Sequence, residues 1–152
     1  MEFSEITKKY WEEKDWQDLE KAESMKELYL IAERIINRMP KPIVQVCGPI
    51  ANGGLGSIEA NLNAFNQTIK GLQNKGVNVF DQMPFEEPMQ VFKKKAVIKE
   101  EVFKSIMEDF YLPIFKSGLI STFYFMPSWQ TSLGSKWEHK KAKALGIEIK
   151  YL

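Results

Sequence analysis

Cysteine and histidine are nearly absent: the 152 residues hold one of each, Cys47 and His139. A lone cysteine forms no intrachain disulfide, so nothing in the chain asks for an oxidising compartment. With a single imidazole beside it, the usual soft-ligand zinc site cannot be assembled, and no metal or other cofactor is expected. Net charge is scarce too. Lys plus Arg (21) against Asp plus Glu (20) leaves +1, which removes the electrostatic reason to expect a nucleic-acid polymer or an anionic membrane as partner. The basic run FKKKAVIKEE (92–101) reads as a solvated helix start. No apolar run reaches the roughly 18 residues of a bilayer span. No cationic start leads into an apolar segment either, so a secretory signal is not expected. A cytoplasmic enzyme or binding protein is the default.

What is present is an ordinary globular balance, 44% hydrophobic and 27% charged, in a chain long enough to bury a core. From Leu19, apolar residues at Leu19, Ala22, Met25, Leu28, Ala32, Ile35 and Met39 recur at spacings of three and four. That pattern predicts one long amphipathic helix, closed by Pro40 and Pro42. Trp11 and Trp16 predict a further packed turn ahead of it, or a partner surface. PIVQVCGPI (42–50) predicts a strand stopped by Gly48-Pro49. Ser57 then caps a helix whose face is Ile58, Leu62, Phe65, Ile69 and Leu72, ended by Gly76. VNVF (77–80) predicts a second strand, and DQMPFEEPMQ (81–90) a loop too rich in proline for regular structure. Residues 97–116 predict a helix with Val102, Phe103, Ile106, Met107, Phe110 and Ile114 inward, kinked or shortened by Pro113. GLISTFYFM (118–126) reads as a strand covered on both faces. A helix over 135–145 and a last strand, IEIKYL (147–152), complete the chain.

The predicted order is a helical N-terminal extension (1–40), then an α/β domain (41–152) reading β-α-β-α-β-α-β. Such alternation implies a mainly parallel sheet of four to five strands with helices on both faces, a Rossmann- or flavodoxin-like three-layer fold. Ligands in such sheets bind beyond the carboxyl ends of the strands, where the strand order reverses. The loops after Cys47, Phe80 and Met126 are thereby singled out.

CGPIANGGLGS (47–57) joins a strand end to a helix start. Its glycines permit positive φ and close approach of a ligand, and the helix behind it offers unpaired N–H groups to an anion. It is neither a Walker A loop nor a GxGxxG fingerprint, and a plain βα turn is an equally good reading. In PSWQTSLGSKWEHKKAKALG (127–146), Glu138 lies on the helix face of Gly134, Ala142 and Leu145. Two readings stand open. Ser135-x-x-Glu138 fits a capping box, and a carboxylate near a helix start, held as an anion, is also what a nucleophile requires. Asp109 stands at the edge of the apolar stripe of its helix, a poor position by propensity, while Glu108 reads as exposed. Trp129, Phe85 and Met83 are suited to stacking on a base, though such residues in loops more often simply pack.

Together these segments resemble the nucleoside 2-deoxyribosyltransferase-like superfamily. The resemblance spans about residues 43–152 and is most specific at Trp129, Ser132, Gly134, Glu138, His139, Ala142, Leu145 and Gly146. Within it, the chain is similar to small phage and bacterial members and to the deoxynucleoside 5′-monophosphate N-glycosidases. The resemblance implies N-glycosidic bond cleavage or 2-deoxyribosyl transfer on a nucleoside or nucleoside 5′-monophosphate. It assigns Glu138 as nucleophile and Asp109 as the acid beside the leaving base. Gly48, Pro49, Ile50, Asn52, Gly53, Gly54, Trp129, Ser132, Gly134 and Ser135 would line the substrate. It further implies a homodimer or larger homo-oligomer. Pro49 stands where the monophosphate glycosidases carry serine, and Gly118 or Leu119 where many relatives carry an acid. These departures keep nucleosides in play as substrates. They also keep open an alternative, a nucleotide-binding sensor or regulatory module without turnover.

Overall fold

A computed structural model describes all residues, Met1–Leu152. In chain order the elements are α1 (Glu5–Lys8), α2 (Glu13–Lys21), α3 (Met25–Arg38), β1 (Ile43–Cys47), α4 (Ile58–Asn74), α5 (Glu86–Lys95), α6 (Lys99–Ser105), α7 (Leu112–Lys116), β2 (Ile120–Phe125), α8 (Leu133–Leu145) and β3 (Glu148–Tyr151). By compactness the chain divides into a helical unit, Met1–Met39 with Gln82–Ser117, and a sheet unit, Pro40–Asp81 with Gly118–Leu152. No helix is long and apolar enough to cross a membrane.

In the helical unit, the single helix expected from Leu19 to Met39 is two. Lys21 ends α2, Ala22 turns extended, and Ser24 begins α3 by accepting the Glu27 N–H at 3.2 Å. Glu27 reaches back to the Glu23 N–H. Ser24-x-x-Glu27 is a capping signal strong enough to break an unbroken apolar period. Behind the cap, Met25, Leu28, Ile31, Ala32, Ile35 and Ile36 are buried. Trp11 and Trp16 stack at 4.1 Å, and Trp11 meets Phe85 at 5.4 Å, so these tryptophans are packed. Asp15 ties α2 to α3. It accepts from the Glu12 N–H at 2.8 Å, from Arg34 Nε at 2.9 Å and from Arg38 Nη1.

The proline-rich segment 81–90 is also helical, against expectation. A tight turn, Met83–Phe85, runs into α5, with Pro84 in the turn and Pro88 in the first turn of the helix. Neither position needs an N–H, because the first amides of a helix have no intrahelical partner. Phe85 and Met83 are fully buried, Phe85 lying 5.0 Å from Phe110. They pack, and are not left free to stack on a base. Pro113 does not shorten its helix, which runs on to Lys116. A wide π-helical turn, Ile106–Tyr111, precedes it, and the Leu112 N–H reaches back to Met107. The helix then resumes as α7. The wider turn accommodates the missing proline N–H.

The sheet unit is mixed α/β with a three-stranded parallel sheet in the order β1-β2-β3. Residues 77–80 add one parallel bridge, Val79 beside Val44, made by Val44 N–H to Asn78 O and Phe80 N–H to Val44 O, both 2.9 Å. The sheet therefore has fewer strands than the four to five expected. β1 is wholly buried, whereas the edge strand β3 is largely exposed. α4 starts at Ser57, whose Oγ accepts the Ala60 N–H, and buries Phe65, Ile69 and Leu72. Ile58, expected on that face, is exposed.

Candidate functional site

Side chains alternate along a strand, so Gln45 and Cys47 share one face of β1. Their register partners on β2, Phe123 and Phe125, share it too. On α8 the buried residues are Ser135, Glu138 and Ala142, spaced to lie on one face. Leu145, expected there, is exposed.

Glu138 is 8% exposed, and its Oε2 accepts from Gln45 Nε2 at 3.3 Å. It does not fill the capping-box position. α8 begins at Leu133, two residues earlier than expected, and Ser132 is the cap, its Oγ accepting the Ser135 N–H at 3.3 Å. Glu138 thereby falls in the second turn, where the helix dipole has largely faded. Two groups of β1 attend the carboxylate instead, the Gln45 amide and the Cys47 thiol. Burial pushes the Cys47 thiol far above its usual pKa, and the charge and hydrogen bond of Glu138 push the same way. Cys47 is thus held as the protonated thiol.

The loop after β1 is tied to the start of α8. Asn52 Oδ1 accepts the Leu133 N–H at 3.2 Å, and the Gly54 N–H donates to Thr131 Oγ1 at 2.8 Å. Asn61 of α4 gathers the loop from beneath. Its Nδ2 donates to the Ile50 and Gly53 carbonyls at 3.0 and 3.1 Å, and its Oδ1 accepts the Leu55 N–H at 2.8 Å. The close approaches that the glycines permit are made here by protein atoms. A Cβ on Gly48 would stand 2.5 Å from Met126 Sδ, one on Gly54 2.5 Å from Asn61 Oδ1, and one on Gly53 (φ +67°) would overlap the Thr131 carbonyl. Gly53→Ala is therefore expected to cost about 2 kcal/mol in urea denaturation. Gly56→Ala, at φ +90° with nothing within 4 Å, should cost only about 1 kcal/mol of backbone strain. Equal losses would show that Thr131 does not close on the loop.

Pro49 is buried against Gly54 and Ile50 half-buried, while Asn52 and Gly54 are exposed. At the start of α8, the Leu133 and Ser135 amides are engaged by Asn52 and Ser132, so of the expected anion donors only Gly134 keeps its N–H. Ser135 is fully buried and its Oγ has no partner. Trp129 stacks on His139 at 4.2 Å, with Phe125 at 5.2 Å and Tyr151 at 6.2 Å, and His139 shares a hydrogen bond of 2.7 Å with the Tyr151 hydroxyl. Burial, helped by the charge of Lys143, lowers the His139 pKa. One face of the Trp129 indole is therefore taken.

Asp109 belongs to the helical unit. It lies half-buried in the π-helical turn, its Oδ2 accepting from Ser105 Oγ at 2.7 Å. In the same unit, Glu86 is buried in the first turn of α5. Burial raises its pKa, with the charge of Lys93 opposing. No group of three His, Cys, Asp or Glu side chains is gathered to hold a metal ion.

Sequence reasoning passed over Gln45, Asn61, Thr131 and Glu86. Gln45 had a signal, being the one polar residue within IVQVC and in phase with Cys47. Asn61 had another, a polar residue on the inward side of α4. Compared with known proteins, the chain matches no family model, no curated protein and no solved structure.

Proposed function

We propose that the chain cleaves the N-glycosidic bond of a nucleoside or nucleoside 5′-monophosphate, or transfers its 2-deoxyribosyl group, with Glu138 as nucleophile. The observation that carries the reading is the state of Glu138. It is a buried carboxyl group approached by Gln45 and Cys47 of β1 and relieved of capping by Ser132. The position suits ligand chemistry, since β1 is flanked by residue 79 on one side and β2 on the other, the arrangement in which parallel sheets open a crevice. The reading carries with it a Rossmann- or flavodoxin-like fold, with residues 77–80 as a further strand, and a homo-oligomeric state.

In the proposed step a Glu138 oxygen bonds to the anomeric carbon as the bond to the base nitrogen breaks. The departing nitrogen takes a proton from an acid, and water or a second base then displaces Glu138. A base is a poor anionic leaving group, and its protonation contributes about 10²–10⁴-fold. Asp109 is the acid assigned by resemblance; its position in a π-helical turn, a common feature of functional sites, supports it. Asp109→Asn is expected to slow base release about 10²-fold. Retention of full activity in that variant would end the acid assignment. With most amides near α8 already engaged, nucleosides are favoured over 5′-monophosphates.

The test is a panel of deoxynucleosides and their 5′-monophosphates, assayed for free base with and without an acceptor base. Release dependent on Glu138 supports the enzyme, and the acceptor separates hydrolase from transferase. Tight binding with no base released supports the sensor reading instead.

A further inference from the structure

We propose that Gln45 is the positioning residue of Glu138: its side-chain amide fixes carboxylate oxygen Oε2 and so sets the plane from which the carboxylate attacks. The inference rests on the reading of Glu138 as nucleophile. Gln45 is fully buried at the centre of β1, among Ile43, Val44, Val46 and Cys47. Its Nε2–H donates to Glu138 Oε2 at 3.3 Å, while its Oε1 is buried without a donor. A buried amide that makes one long hydrogen bond and leaves its acceptor unsatisfied burdens the fold. A glutamine serving stability alone would have both ends satisfied, as Asn61 does three times over.

What the Gln45 amide does achieve is orientation. The last torsion of a glutamate side chain is broad and nearly two-fold, so a donor bound to one oxygen decides how the other is presented. Cys47, two residues along the same face, adds its thiol as a second donor from the same rigid strand.

Gln45→Met separates this role from a structural one, because methionine fills the same volume without the orphaned polar atoms. Expected are a thermal midpoint unchanged or raised and a KM within about threefold. The kcat for base release should fall about ten- to hundredfold, the range for a hydrogen bond to a charged group. The acid limb of the rate profile should move up, because a hydrogen-bond donor to the charged form is lost. A wild-type kcat and profile, or a kcat loss matched by a fallen midpoint, overturns the proposal. Should Gln45→Met not fold, Gln45→Asn, which keeps an amide too short to reach Glu138, is read the same way. Should the wild type release no base, the glycosidic reading falls on its own. The carboxyl-carbon NMR titration of Glu138, assigned by its loss in Glu138→Gln, then decides for Gln45: a raised midpoint in Gln45→Met supports the link, and an unchanged one overturns it.

Discussion

Glu138→Gln should reduce release of free base by about 10⁴-fold or more, which corresponds to over 5 kcal/mol of transition-state stabilisation. The substitution removes one negative charge and little else. Glutamine has the same length, and its carbonyl oxygen can still accept from Gln45 Nε2. Helix α8 keeps its cap, because Ser132 supplies it and Glu138 does not. The thermal midpoint should therefore stay within a few degrees of wild type while turnover disappears. What the amide cannot do is bond to an anomeric carbon or balance an oxocarbenium-like charge. The contrast with a capping role is sharp: glutamine substitutes well for glutamate in a capping box, so a Glu138 that merely capped would lose nothing on this change. Base release from Glu138→Gln at a rate near wild type would end the nucleophile assignment outright.

Asp15→Ala is expected to have the largest effect on stability, about 3 kcal/mol, read as a thermal midpoint lowered by roughly 5–10 °C. The Asp15 side chain is 1% exposed and receives the N-cap amide of α2 and two guanidinium groups of α3. Removing it breaks a buried ion pair, which costs about 3–5 kcal/mol when the partner charge stays buried. The lower end applies because the Arg34 and Arg38 side chains are 35% and 29% exposed and regain water. Asp18, which meets Arg34 at 2.8 Å but is itself 30% exposed, should matter much less. A loss for Asp15→Ala no larger than for Asp18→Ala would show that the pair does not hold α2 to α3.

The same carboxylate predicts how stability responds to acid. Burial pushes the Asp15 pKa up, but hydrogen bonds from Arg38, the Glu12 amide and Arg34 together outweigh it and hold the value below the usual 3.8. A depressed folded value contributes stability that is complete above the unfolded pKa and is lost as pH falls through the folded one. Urea midpoints followed downward from about pH 5 should thus fall more steeply in the wild type than in Asp15→Ala. Parallel curves would sink the assignment.

Local chemistry was well legible along the chain. Periodic apolar residues and caps located α4 and the β1 and β2 strands within a residue or two, because a helix or strand must turn one consistent face inward. Where expectation failed, a local rule competed with a stronger one. The capping pair Ser24 and Glu27 overrode a continuous apolar stripe, and prolines 84 and 88 sat where no amide was required. At the candidate site, Glu138 and the glycines of the first loop were visible as residue types at meaningful spacings. Their partners Gln45, Asn61 and Thr131 were not, since each lies far along the chain from the group it serves.

Composition and spacing by themselves determined the mixed α/β class and the near-neutral charge. Those properties depend on neighbours a few residues apart, whose mutual geometry the backbone dictates. Which serine caps α8, and hence whether Glu138 is occupied with its own helix or turned to the strand, was decided only by folding. So was the grouping of residues 82–117 with the N-terminal helices. Both are contests between contacts that no local rule ranks, because each depends on segments brought together from distant parts of the chain.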